Sequence, residues 1–448
     1  MNLEKYYPDI IKSISDLVKI PTVYDAASVT PAMPYGKDVY AGYEWLKEKA
    51  LTDGFEVLEF DGHALAIRIP GNNTGERIDV VSHLDVVAPG DGWLDDPFSG
   101  AVSDGAIHGR GTQDMKAALM LTYYGLKYIK DQRIPLKREI RVVAGCDEER
   151  TMEDIRYYAK KSGDPVFAFT PDGKFPYTLG EKGALMWRVD GFGDTSIEVL
   201  DGGVQCNVVS PVASALIRNG GSPDEYEKML KQKGYPGGVS REGTCIRLRV
   251  FGKAAHASRP QDGENATVRL LELVSCVNSD PLAELLYRCF SDYNGKGAGL
   301  DYDIEPMGKL TMNLGILRIR DNKVSAEVDC RYPYGITSDI LTDKLQKALS
   351  PLTVTLQYDD KPTLADKNSP WLKILLDTYR EISGDINAEP VISGGVTYGK
   401  AIKNCVAFGP GREGDQVLAH QANERIEIER VKQLFRIYTT AMIRLAAS

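Results

Sequence analysis

The chain has 448 residues, about three times the length of one typical domain, so two or more packed units are expected. Apolar residues make up 43% and charged residues 26%, and 54 Lys and Arg against 63 Asp and Glu leave a net charge of -9, which argues against a broadly basic nucleic-acid-binding surface. Seven cysteines without CxxC spacing suggest neither a disulfide framework nor a thiolate zinc knot, and no run of 18 apolar residues offers a membrane span, so a protein of the reducing cytoplasm with no membrane partner is expected.

In the first segment Ile10, Ile11, Ile14, Leu17 and Val18 recur at helical spacing while charges interrupt the other face. The pattern predicts an amphipathic helix ending before Pro21, not a secretory signal. A second helix is predicted at about 35–52. Up to about Gly183, short apolar runs then alternate with helical stretches: strands HALAIRIPG, RIDVVSH, REIRVVAGC and PVFAFTP, with helices at about 115–130 and in EERTMEDIRYYAKK. This texture predicts an α/β sheet covered by helices on both faces. Beyond it lie an exposed helix, PDEYEKMLKQKG, a helical stretch at about 264–292, and strands TCIRLRVFG, KLTMNLGILRIR, KVSAEVDCRY and LTVTLQY. The strand-helix-strand pattern occurs twice there, around 188–262 and 305–360. From Asn368 the alternating style returns, with helix SPWLKILLDTYREISG, strand CVAFG and a long final helix. The simplest parse is a catalytic domain in two parts, 1–186 and 366–448, interrupted by an inserted domain, 187–365.

Polar residues just after the apolar runs carry the chemistry. Val80 to Asp85 is a strand ending in HxD, where Asp85 can hydrogen-bond one nitrogen of His83 and leave the other for a metal, although a lone His after a strand is more often structural. Asp114, in GRGTQDMKAALM, stands at the mouth of a helix, where it either caps that helix or reaches across a site. REIRVVAGC runs into Asp147, Glu148 and Glu149; acids at a helix start suit the macrodipole, yet carboxylates leaving a buried strand together repel unless cations or shared protons compensate. Asp172 comes directly after PVFAFTP, and His420 lies in a Gly-rich segment before the last helix. Each signal is weak alone. Together they form the nitrogen and oxygen ligand set of a two-metal hydrolase, without thiolates, which suits zinc, manganese or cobalt alike.

The motifs SHLDVV, GRGTQDMKAA, DEE, TPDG, GEKG, GGVTYG and HQANE, in this order and spanning most of the chain from 83 to 424, closely resemble the co-catalytic metallopeptidase family of aminoacylase, glutamate carboxypeptidase, peptidase T and bacterial dipeptidase V. The resemblance implies an α/β catalytic domain with a mixed sheet between helices, interrupted by an α+β lid built of two strand-helix units. It implies two divalent metal ions, with His83 and Asp172 on one, Glu149 and His420 on the other, and Asp114 bridging both. Asp85 would orient His83, Glu148 would be the general base, and a cis peptide would come after the bridging Asp114. In the lid, the histidine of FGKAAHASRP, His256, would reach the scissile carbonyl, while Asn207 and Arg331 would hold the substrate backbone and its free carboxylate. The turn containing Gly394, Gly395, Val396 and Thr397 would complete the carboxylate pocket through backbone donors.

His63 and His108 have no motif support and read as structural, and Cys146, buried between a strand and carboxylates, is not a convincing nucleophile. The leading functional expectation is a metal-dependent dipeptidase acting on dipeptides or short peptides. The alternatives are an N-acyl amino acid deacylase or carboxypeptidase with the same chemistry, and an inactive binding protein of the same fold. The long insertion further implies a chain that works as a monomer, its second strand-helix unit replacing a partner's lid.

Overall fold

The computed structural model describes residues 2–218 and 221–448. The chain divides into two compact units: Met1–Gly180 with Ala365–Ser448, and the insertion Glu181–Leu364. The insertion begins a few residues earlier than the 187 read from the sequence, because the strand Gly183–Phe192 belongs along its whole length to the inserted unit's sheet.

The first unit is built on a six-stranded mixed sheet. Its order runs Glu56–Phe60, Ala64–Ile69, Arg138–Gly145, Asn73–His83, Phe167–Thr170 and Cys405–Ala407. The first three pair antiparallel and the last four parallel. Alternation decides the layers. Val80 and Val142 enter a core with the helices Tyr7–Val18, Lys116–Asp131 and Ile428–Ala447, whereas their neighbours Val81 and Val143 enter a core on the other side with Ile155 and Tyr158 of the helix Glu153–Ser162. Both faces are therefore buried, which is why these strands read as continuous apolar runs. Parallel strands coming from such a sheet end together on one edge, and the polar residues immediately beyond them are delivered to a common place.

Two details differ from the sequence reading. The acid pair Glu148–Glu149 does not open a helix: residues 148–152 form a turn, Met152 takes a left-handed conformation, and the helix begins only at Glu153. The macrodipole account of the pair therefore falls. Nor does Asp114 cap the adjacent helix, which starts at Lys116 with no side-chain cap.

The inserted unit holds an eight-stranded sheet, antiparallel throughout, in the order Gly237–Glu242, Cys245–Phe251, Val212–Ile217, Ile197–Gly202, Thr311–Arg320, Lys323–Tyr332, Gly183–Phe192 and Thr353–Asp360. The two strand-helix groups are thus joined edge to edge into one sheet. Gly183–Phe192, whose last residues the sequence pattern assigns to the first group, lies instead inside the second, between the strands that end at Tyr332 and start at Thr353. The helical stretch at 264–292 is two helices, Ala266–Asn278 and Pro281–Phe290, broken where Ser279 turns left-handed and Pro281 starts afresh with Asp280 as its cap.

Trp187 anchors this unit. It is wholly buried and its Nε1 donates to Thr342 Oγ1 at 2.8 Å. Trp187→Ala leaves a cavity and removes the indole donor from Thr342 Oγ1, so chemical unfolding should show a loss of about 3 to 5 kcal/mol.

Candidate active site

Three adjacent parallel strands place the proposed ligands. His83 is the last residue of its strand and is buried, Gly145 ends the next strand just before Asp147, Glu148 and Glu149, and Thr170 ends the third before Asp172. His83 Nδ1 donates to the Asp85 main-chain carbonyl at 2.9 Å, with the Asp85 carboxylate 3.5 Å away. That carboxylate accepts instead from the main-chain N–H groups of Glu148, at 3.2 Å, and Glu149, at 3.0 Å. Asp85 thus fixes the histidine through its backbone and the acid pair through its side chain, a double role that the HxD spacing alone does not reveal.

Asp114 joins the two halves of the cluster. One carboxylate oxygen lies 3.1 Å from His83 Nε2 and the other 3.1 Å from His420 Nε2. His420 Nε2 also lies 3.1 Å from Glu149, and His83 Nε2 lies 4.0 Å from Asp172. The peptide between Asp114 and Met115 is cis. Ligand atoms of His83, Asp114 and Glu149, and again of His83, Glu148 and Asp172, lie within 4.8 Å of one another. The structure therefore brings all five proposed ligands and Glu148 into one cluster.

The electrostatics are those of a site built for cations. Burial first, and the charge of Asp172 next, push the Glu148 carboxyl well up, and burial does the same to Glu149 in spite of His420. Burial opposes ionisation of Asp114 too, but hydrogen bonds from His420 and His83 outweigh it and hold that carboxyl below the ordinary carboxylate range. Asp114 and Glu149 push His420 up to about 10, and Asp114 and Asp85 raise His83 although burial works against its charge. The neighbouring acids thus favour positive charge on both imidazoles, as a carboxylate-rich site requires.

Two buried acids hold the cluster in shape. Glu424, fully buried, accepts from Arg110 Nη1 at 2.6 Å and from the main-chain N–H groups of Gly111, Gln113 and Asp114 at 3.1, 2.7 and 3.2 Å. Gly111 has a φ of +90°, and a Cβ there would meet Lys116 and Val86 at 2.9 Å. Asp154 accepts from the main-chain N–H groups of Cys146, at 2.5 Å, and Asp147, at 2.8 Å, and from the hydroxyl of Tyr398, whose ring meets His83 edge to face. Glu424 lies in the HQANE motif and Asp154 in a predicted helix, but no local pattern assigns either one its partners.

The remaining candidates of the first unit are more modest. The Gly395 N–H donates to Ser393 Oγ at 2.9 Å, and Thr397 caps the short turn Tyr398–Lys400. His63 is held by the Tyr35 hydroxyl and stacked on Tyr157, and His108 lies on a short strand paired with Arg425. Burial pushes the Cys146 thiol well up, as an inert cysteine requires.

In the inserted unit, Asn207 and His256 are exposed and sit on two adjoining extended segments: Ala257 N donates to Asn207 O, and Val209 N to Ala255 O, both at 2.9 Å. Ser258 N–H donates to His256 Nδ1 at 3.1 Å, which places the proton of the neutral ring on Nε2. Arg331 is buried and held by Asp329 in a two-pronged pair of 2.9 and 2.8 Å. Asp329 is a partner that the motif DCRYP contains but does not assign.

Residues 80–444 match the family described as Peptidase family M20/M25/M40. The chain belongs to this peptidase family. "Putative dipeptidase YtjP" of Bacillus subtilis is 30% identical over 454 residues, covering 98% of this chain and 97% of that protein, and a "Putative dipeptidase" of Staphylococcus epidermidis is 28% identical over 98% of both. The fold is shared with a tripeptidase from Staphylococcus aureus (TM-score 0.59, 18% identity, 98% of each chain) and with human carnosine dipeptidase 1 (TM-score 0.57, 15% identity, 99% of this chain and 97% of that one). As an M20 peptidase the chain is a metal-dependent hydrolase, and the cluster of carboxylates and imidazoles fits that dependence. No helix of the described residues is long and apolar enough to cross a membrane.

The acids beside His83 and His420 favour the protonated imidazoles, which must lose those protons to become ligands. Titration of the metal-free protein with a divalent ion should therefore release protons, seen as a heat that changes with the ionisation enthalpy of the buffer. Glu424→Gln removes the charge that gathers four donors around the Asp114 loop, so metal affinity by calorimetry should fall roughly 10- to 100-fold while the overall fold persists.

Proposed function

We propose that this M20 peptidase is a cytoplasmic dipeptidase that cleaves dipeptides and short peptides at a pair of divalent ions. The observation that carries the two-ion reading is Asp114, whose oxygens each face one histidine and so can serve two cations at once. His83 and Asp172 would hold one ion and Glu149 and His420 the other. Two imidazoles among carboxylates suit zinc, with manganese or cobalt as substitutes. Such ions, when bound, acidify water and stabilise negative charge on a carbonyl oxygen.

The protein's own groups do the rest. Glu148, with its proton affinity raised by burial and by Asp172, takes the proton of the attacking water and hands it to the departing amine, which must leave neutral. Asp85 holds His83 and the turn that carries Glu148 in register. His256, with its proton on Nε2, donates to the carbonyl oxygen as negative charge develops there. Arg331, aligned by Asp329, binds the free carboxylate of the substrate, and Asn207 the peptide backbone. The turn that holds Gly395 and Thr397 would complete the carboxylate pocket through backbone donors. The substrate class rests on the dipeptidase names of relatives that match the whole chain.

Turnover of a dipeptide panel, against N-acetyl and N-succinyl amino acids, tests the reading directly: dipeptides should be preferred, and chelation should abolish activity that added zinc, manganese or cobalt restores. A preference for the acylated amino acids would replace the dipeptidase with a deacylase. Glu148→Gln should lower turnover roughly 10²- to 10⁴-fold while binding of two ions is retained; near-normal turnover would remove Glu148 as the base. Arg331→Ala should raise KM for dipeptides far more than for C-terminally amidated ones, by about 2 to 5 kcal/mol in apparent binding. Light scattering of the active protein should give the mass of a monomer.

A further inference from the structure

We infer that Asn265 and Asn313 form a buried amide relay that positions Asn207 and His256 for the substrate, an inference that rests on the dipeptidase reading of those two residues. Both asparagines are almost fully buried in the inserted unit, at 3% and 1% exposure. Asn265 stands at the start of the helix Ala266–Asn278, where its Oδ1 accepts from the N–H groups of Thr267 and Val268 at 3.0 and 3.2 Å. Its Nδ2 donates to Asn313 Oδ1 at 3.2 Å and to the Leu314 carbonyl at 2.9 Å. Asn313 Nδ2 then donates to the carbonyls of Cys206, at 3.2 Å, and Val208, at 3.1 Å.

The endpoints give the relay its meaning. The two carbonyls that Asn313 grips flank Asn207, so they set how residue 207 is presented. The same segment carries the ladder to His256, through Ala257 N to Asn207 O and Val209 N to Ala255 O. Asn313 also lies directly across the sheet from Asp329, the carboxylate that aligns Arg331. Burial, and next the charge of Asp329, push the Cys206 thiol up to about 12, as expected of a loop packed beside that pair. Gly315 opens the space for it: a Cβ there would stand 2.1 Å from the Cys206 carbonyl oxygen, and the strand is irregular between Leu314 and Ile316. A helix start, a strand and an active-site loop are thereby tied through two side chains whose donors and acceptors are matched. Plain packing would not require amides at both positions.

Asn313→Asp tests this with almost no change of shape, because it replaces the Nδ2 donor with an oxygen facing two carbonyls. Hydrogen exchange, which needs no substrate, should show the Val209 and Ala257 amides exchanging at least tenfold faster, with Leu248 and Val328 in the same sheet unchanged. On the best dipeptide kcat/KM should fall roughly 10- to 100-fold, as expected for a displaced contact, with two ions still bound in the first unit. Unchanged exchange overturns the relay, and accelerated exchange with kcat/KM within twofold of wild type overturns its positioning role. Should Asn313→Asp not fold, Gly315→Ala, which pushes on the same loop from beneath, is judged by the same readouts and the same limits. A wild-type protein that cleaves no dipeptide would instead sink the substrate reading, while the exchange result still decides the relay.

Discussion

Packing several carboxylates into one partly dry place is the constraint on which the first unit depends. Like charges at this spacing cannot all ionise cheaply, and the protein answers by alternating acids with histidines and by tying each acid's loop to buried donors. Asp114 shares its oxygens between His83 and His420, while Asp85, Asp154 and Glu424 take up the main-chain N–H groups around it. Each neutralises backbone dipoles, so the loops stay rigid without bringing more positive side chains to the centre. The charge that remains uncompensated is concentrated where divalent ions are wanted.

The scaffold makes this arrangement feasible. Parallel strands buried on both faces end at one edge, and the loops leaving them have no lateral freedom to drift apart. His83 is fixed by being the last residue of such a strand, and the acid pair by standing just past the end of another, which is why these residues lie close together.

That same regularity decided what the sequence could reveal. The apolar runs through Val80 and Val142 announced the sheet, and the residues just after them announced the candidate ligands, because both arise from short-range patterns. Roles that depend on distant pairing were not legible. Nothing near Glu424 says that its carboxylate collects the N–H groups of residues 111, 113 and 114, and nothing in Gly183–Phe192 says that it pairs with strands that arrive more than a hundred residues later. The acid pair misled in the opposite direction. Its composition suited a helix start, but the turn that Met152 completes keeps both side chains off the helix.

The clasp between Glu424 and the Asp114 loop joins positions 310 residues apart. During synthesis the strands around His83 and Glu149 leave the ribosome long before Glu424 does, and domains fold as their segments emerge. A nascent chain can therefore assemble most of the sheet while the loop carrying its central carboxylate still lacks its anchor, and His420 is missing as well. The loop around Asp114 is therefore completed only once the segment carrying Glu424 has been made.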